Sequence, residues 1–123
     1  MKKSKERPST SQRKHALMEQ ITAFVDANLT ERITLQVIST YCNVSVSTVT
    51  QLFQKKASTT FHDFVTQRRM EKARKLIHED MPLEQVGKEV GYRDHSTFYR
   101  AFRKFFGVSP REYRIQILSE KNS

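Results

Sequence analysis

The feature that most constrains this chain is a faint internal repeat. The segment "LQVISTYCNVSVSTVTQLFQKKAS", residues 35–58, lies over "LEQVGKEVGYRDHSTFYRAFRKFFG", residues 83–107. Leu35 aligns with Leu83, Ile38 with Val86, Cys42 with Val90 and Val44 with Tyr92. After one extra residue in the second copy, Val49 aligns with Phe98, Phe53 with Phe102 and Ser58 with Gly107. Each copy reads as a short helix, a tight turn and a longer helix, because its apolar positions keep helical spacing on both sides of a break. The turn needs a residue that tolerates positive φ. Gly91 supplies it in the second copy and Asn43, the next most tolerant type, in the first. The pattern is that of a helix-turn-helix, whose second helix is shaped to enter a DNA major groove.

The rest of the chain fits around the two copies as helices. Only three glycines and three prolines occur in 123 residues, and no stretch alternates like a strand. Leu17, Ile21, Phe24, Val25 and Leu29 form a stripe that predicts a first helix from about 12 to 29. Thr34 is placed to cap a short helix carrying Leu35, Val37, Ile38 and Tyr41; Ser45 or Ser47 caps the next, with Val49, Leu52 and Phe53. A long helix of about 60–78 follows, with Phe61, Phe64, Val65, Ala73, Leu76 and Ile77 inward and Arg68, Arg69, Lys72, Arg74 and Lys75 outward. Pro82 suits the first turn of a fifth helix, Asp94 or Ser96 opens a sixth that Gly107 stops, and Ser109-Pro110 begins a last one with Tyr113, Ile117 and Leu118. The expectation is an all-α fold of about seven helices. Its parts are a flexible basic tail (1–15), a first helix-turn-helix unit (16–58), a linker helix (59–79), a second unit (80–118) and a short C-terminal tail (119–123). The linker would be about 28 Å long at about 1.5 Å per residue, enough to hold two reading helices in successive major grooves about 34 Å apart.

Charge narrows the partner. The chain carries a net +9, of which +5 falls in residues 1–15 and +4 in the other 108. Such a balance points to nucleic acid or an acidic membrane surface and is silent about fold. No apolar run approaches the roughly 18 residues of a membrane span, and the N-terminus lacks the apolar core of a signal peptide. The lone Cys42 excludes an internal disulfide and a cysteine-based zinc site, and four scattered histidines make no metal constellation. A cytoplasmic protein without cofactor or metal is expected. Catalysis has little support: Asp63, Asp80 and Asp94 fall at helix ends or turns, where capping explains them, and Cys42 sits in the apolar phase of its helix as an inert thiol.

At the run "VGYRDHSTFYRAFRKFFGVSPREYR", supported by "RRMEKARKLI" and "TQLFQKK", the chain resembles the AraC/XylS family of bacterial transcription regulators, specifically their DNA-binding domain. The likeness covers residues 16–115. It implies two helix-turn-helix units joined by a long helix, sequence-specific binding to double-stranded promoter DNA and, usually, activation through contact with RNA polymerase. Two positions depart from the family pattern. Ser58 stands where glycine is common and weakens the expected helix stop; Gly87 stands where a small alanine-like residue is common and costs up to about 1 kcal/mol of helix propensity.

Placed on that pattern, the outward residues of the first reading helix are Val46, Ser47, Thr50 and Gln51, and those of the second are His95, Ser96, Tyr99 and Arg100. These are the base-contact candidates. Arg100 suits a bidentate guanine contact, Gln51 an adenine and Val46 a thymine methyl, against the plainer reading of a solvated helix face. Thr48 and Thr97 near the helix starts, with Lys55, Arg68, Arg69, Arg103 and Lys104, are the phosphate candidates. Arg69 serves equally well as a tie from the linker helix to carbonyls or carboxylates, and Arg114 reads as structural. Tyr92, Phe98, Phe102, Phe105 and Phe106 fall on the inner stripe as core. The first reading helix has no cation before Lys55, so weaker direct readout is expected there. Two reading units in one chain remove the need to dimerise, so a monomer on DNA is expected. No small-molecule site is evident. The alternatives are the DNA-binding part of a larger effector-sensing regulator, and a helical protein-interaction module that does not read DNA.

Overall fold

The computed structural model describes residues 9–122. Among them the chain is all-α: α1 (Thr10–Ala27), α2 (Leu35–Cys42), α3 (Val46–Leu52), α4 (Phe61–His78), α5 (Leu83–Glu89), α6 (His95–Phe106) and α7 (Pro110–Lys121). A π-helical turn, Phe53–Ala57, continues α3 without a break. Helix starts follow the side chains that cap them. Ser9, Thr34, Ser45, Thr60, Asp94 and Ser109 each accept a hydrogen bond from the backbone N–H three residues on, satisfying a donor the helix leaves unpaired.

Two apolar cores lie along the linker helix α4. Ile21, Val25, Ile38, Val49 and Phe53 close the first with Phe61 and Val65 of α4. Val86, Val90, Phe98 and Phe102 close the second with Met70, Ala73 and Ile77 of the same helix. The N-terminal half of α4 therefore belongs to one core and its C-terminal half to the other. A helix of 18 residues is about 27 Å long, so the two cores are set well apart on one rigid rod.

Several expectations shift. Helix α1 begins at Thr10, inside the stretch expected to be tail, because Ser9 and Gln12 form a reciprocal capping box; the part of that expected tail in residues 1–8 lies outside the described residues. Helix α7 runs to Lys121, three residues beyond the expected end at 118. Pro82 is the residue before α5 rather than part of its first turn. Phe105, expected inside, is 41% exposed, as are Val37 (40%), Tyr41 (54%) and Leu118 (46%), because each core closes on a narrower stripe than the apolar letters suggest. Met70, absent from the expected inner face, is fully buried. Cys42 is half-buried rather than enclosed, and that burial raises its thiol pKa.

Candidate nucleic-acid interface

The repeat is a repeat in three dimensions. Asn43 (φ 58°) and Gly91 (φ 105°) both take the left-handed conformation that turns the chain out of α2 and α5. The next residue then reaches back five positions in each copy, Val44 N–H to the Ser39 carbonyl (3.0 Å) and Tyr92 N–H to the Gly87 carbonyl (2.9 Å). Those carbonyls belong to a matched pair of small buried residues, Ser39 and Gly87. A methyl group on Gly87 would come within 3.1 Å of Phe98 Cβ and Cγ, so the glycine that weakens α5 allows α6 to pack close. The inserted residue of the second copy is Arg93, which lengthens the turn and is exposed.

The two reading helices have equal length by different means. Helix α6 is a regular helix of 12 residues, ended by Gly107 at φ 83°. Its counterpart combines the seven residues of α3 with the five of the π turn and ends at Ser58, φ 52°. Ser58 does stop the helix, in a conformation that strains a non-glycine residue by about 1 kcal/mol.

On the first helix Val46, Ser47, Gln51 and Lys55 are exposed, while Thr50 is half-buried beside a cleft of about 650 Å³ between α2, the reading helix and the start of α4. Thr48 is exposed, with its hydroxyl 2.9 Å from that of the cap Ser45. On the second, His95, Ser96, Thr97, Arg100, Arg103 and Lys104 are exposed and Tyr99 is half-buried. The Ser96 hydroxyl donates to Asp94 (3.0 Å). Hydrogen bonds from the Thr97 backbone N–H, then the Thr97 and Ser96 hydroxyls, hold the Asp94 carboxyl below the usual range, and Arg100 adds to this.

Two linker cations face inward to the protein. Arg68 makes a two-point ion pair with Asp26 of α1 (2.7 and 2.6 Å), which raises its already high pKa. Arg69 donates to the carbonyls of Leu29 and Glu31 (3.1 Å each) and lies 5.7 Å from the centre of the Tyr92 ring. Of the two roles open to Arg69, the carbonyl tie is the one made. Gly91 completes the junction: a side chain there would overlap the Leu29 carbonyl oxygen and crowd Arg69 Nε at 3.0 Å. The segment after α1, the linker helix and the second turn thus meet at one point, which fixes one reading unit against the other. Burial raises the Tyr92 pKa, and Arg69 opposes the rise.

A family model described as a helix-turn-helix domain matches residues 38–116, from within α2 to within α7. The chain belongs to the AraC/XylS family of DNA-binding domains. It is 30% identical to the regulatory protein PocR of Salmonella typhimurium over 101 residues, 81% of this chain and 33% of that one, so it spans a third of that relative. Its fold matches the C-terminal domain of AraT, a response regulator from Geobacillus stearothermophilus (TM-score 0.76, 26% identity, 90% of this chain and 88% of that). It also matches the DNA-binding domain of AdpA in complex with a target DNA (TM-score 0.77, 87% and 96% covered); at 20% identity this likeness is one of fold.

Within this AraC/XylS domain Arg114 donates to the Met81 carbonyl and ties α7 to the α4–α5 loop, as a structural residue would. Sequence reasoning missed Lys14, which stands beside the first reading helix; its neighbours there, Thr48, Gln51 and Lys55, are more than thirty residues away in the chain. Among the described residues no helix is long and apolar enough to cross a membrane.

Proposed function

We propose that the chain is a sequence-specific reader of double-stranded promoter DNA that inserts α3 and α6 into successive major grooves. The observation that carries this reading is the pair of 12-residue reading helices, presented by the same turn geometry and locked through Arg69 to one linker helix. Two units held at fixed spacing in one chain serve a non-palindromic site as a monomer. Arg100 reads a guanine edge; Gln51 and Val46 read more weakly; His95, Ser96, Ser47, Thr50 and Tyr99 complete the two faces. Thr48, Thr97, Lys55, Arg103 and Lys104 hold phosphates. Arg68 and Arg69, engaged with Asp26, Leu29 and Glu31, serve this function by fixing geometry rather than by touching phosphate. Activation through contact with RNA polymerase is the outcome proposed for bound promoters.

Selection of bound duplexes from random DNA, followed by titration at several salt concentrations, tests the proposal. An enriched, asymmetric site bound far more tightly than random DNA is expected. Equal binding to all duplexes ends the reading and leaves the protein-interaction alternative. A second reading, the DNA-binding part of a larger effector-sensing regulator, is favoured by the chain's span of one third of PocR.

A further inference from the structure

We propose that the N-terminal end of α1, centred on Lys14, is a third DNA-contacting element that sets a cation on the phosphate backbone beside the first reading helix. The inference rests on the DNA-reading function above. Lys14 and Leu17 of α1 enclose a small recess of about 90 Å³ together with Thr48, Gln51, Leu52 and Lys55. Leu17 and Leu52 pack in the first core and hold the two helices together. Lys14, one turn before Leu17, is exposed. Thr48, Gln51 and Lys55 are exposed too, and at spacings of three and four residues they line one face of the reading helix. Lys14 thus flanks the face that points toward DNA.

Charge supplies the second line of support. The nine residues Val46 to Gln54 contain no cation, whereas α6 carries Arg100, Arg103 and Lys104 and the preceding turn adds Arg93. The first eighteen residues contain a single acid, Glu6, and the chain leading into α1 holds Lys2, Lys3, Lys5 and Arg7. Glu19, the next acid, lies a turn further on, 3.4 Å from His15. The start of α1 is therefore a cationic edge set against the reading helix whose first nine residues carry no charge, and a phosphate backbone is the partner that fits it.

The test compares the full chain with Lys14→Ala and Lys121→Ala on the selected duplex between 50 and 200 mM salt. Loss of one phosphate contact lowers the salt slope by about 0.9, so Lys14→Ala should lose about 3.5-fold less affinity across that range than the parent chain. Its sequence preference and thermal midpoint should stay unchanged, and Lys121→Ala should keep the parent slope. Phosphate-ethylation interference should drop only at phosphates flanking the half-site of the first unit. An unchanged slope for Lys14→Ala, with sequence preference intact in the parent, overturns this inference and leaves the reading function standing. A parent chain with no sequence preference overturns both.

Discussion

The two helix-turn-helix units have the same plan and solve it with different residues. Where the second turn uses Gly91, the first uses Asn43; where Gly107 ends the second reading helix, Ser58 ends the first in the same left-handed conformation. A carboxylate, Asp94, caps α6, and a neutral hydroxyl, Ser45, caps α3. The second core is tiled with aromatic rings, Phe98, Phe102, Phe106 and Tyr113, at centroid separations of 4.6 to 6.2 Å. The first reading helix includes a π turn, a feature frequent at functional sites. Backbone geometry is common to the two units and charge only in part: Lys55 matches Lys104, but Gln51 and Gln54 stand where the second unit has Arg100 and Arg103. The second unit carries Arg100 and Arg103 in the body of its reading helix, whereas the first has no cation until Lys55 and Lys56 in its last turn.

The sharpest way to break this comparison is at the turns. Gly91→Ala meets both a φ of 105° and the Leu29 carbonyl, so it should cost about 3 kcal/mol in urea unfolding. Asn43→Ala, at φ 58° in the matching turn, should cost about 1 kcal/mol. Equal losses would mean that the Gly91 junction contributes nothing beyond its turn. At the helix ends the order reverses: Ser58→Gly should stabilise by about 1 kcal/mol, or roughly 4 °C in Tm. Gly107→Ser should destabilise by a similar amount, since open space surrounds Gly107 and only its φ opposes a side chain. The smallest effect is at the caps. A carboxyl whose folded pKa is depressed stabilises above its unfolded pKa and loses that contribution as pH falls through the folded value. The stability difference between the parent chain and Asp94→Ala should therefore narrow with acidification below the ordinary aspartate range, whereas that for Ser45→Ala should stay level.

Much of this was legible in the letters. Helical spacing, the caps Thr34 and Ser109, and the turn residues Asn43 and Gly91 are local signals, and the elements they mark form where expected; between Ser45 and Ser47, and between Asp94 and Ser96, the first of each pair is the cap. The placement of Arg68 and Lys14 is not legible, because each depends on which distant segment packs beside it; for Arg69 the letters leave two roles open, and the packing of the segment after α1 selects the carbonyl tie. Helical phase puts Arg68 outward, yet Asp26 lies across from it through the packing of α1 on α4. Ser39 and Gly87 illustrate the same limit: each is unremarkable alone, and only burial and the hydrogen bond each carbonyl accepts from the turn beyond make them a pair. Phe105 and Tyr41 show that an apolar letter in helical phase reports a stripe's centre better than its edge.

Most of the base-specific readout is proposed to lie in the second unit, and a scan of every base pair in the selected site tests this most directly. Substitutions opposite α6 should cost about 1–3 kcal/mol each, and Arg100→Ala should abolish the penalty at one guanine while leaving the other positions intact. Substitutions opposite α3 should each cost less than about 1 kcal/mol, in keeping with a face that has no cation before Lys55. Equal penalties in the two halves, or an unchanged profile in Arg100→Ala, would contradict the account.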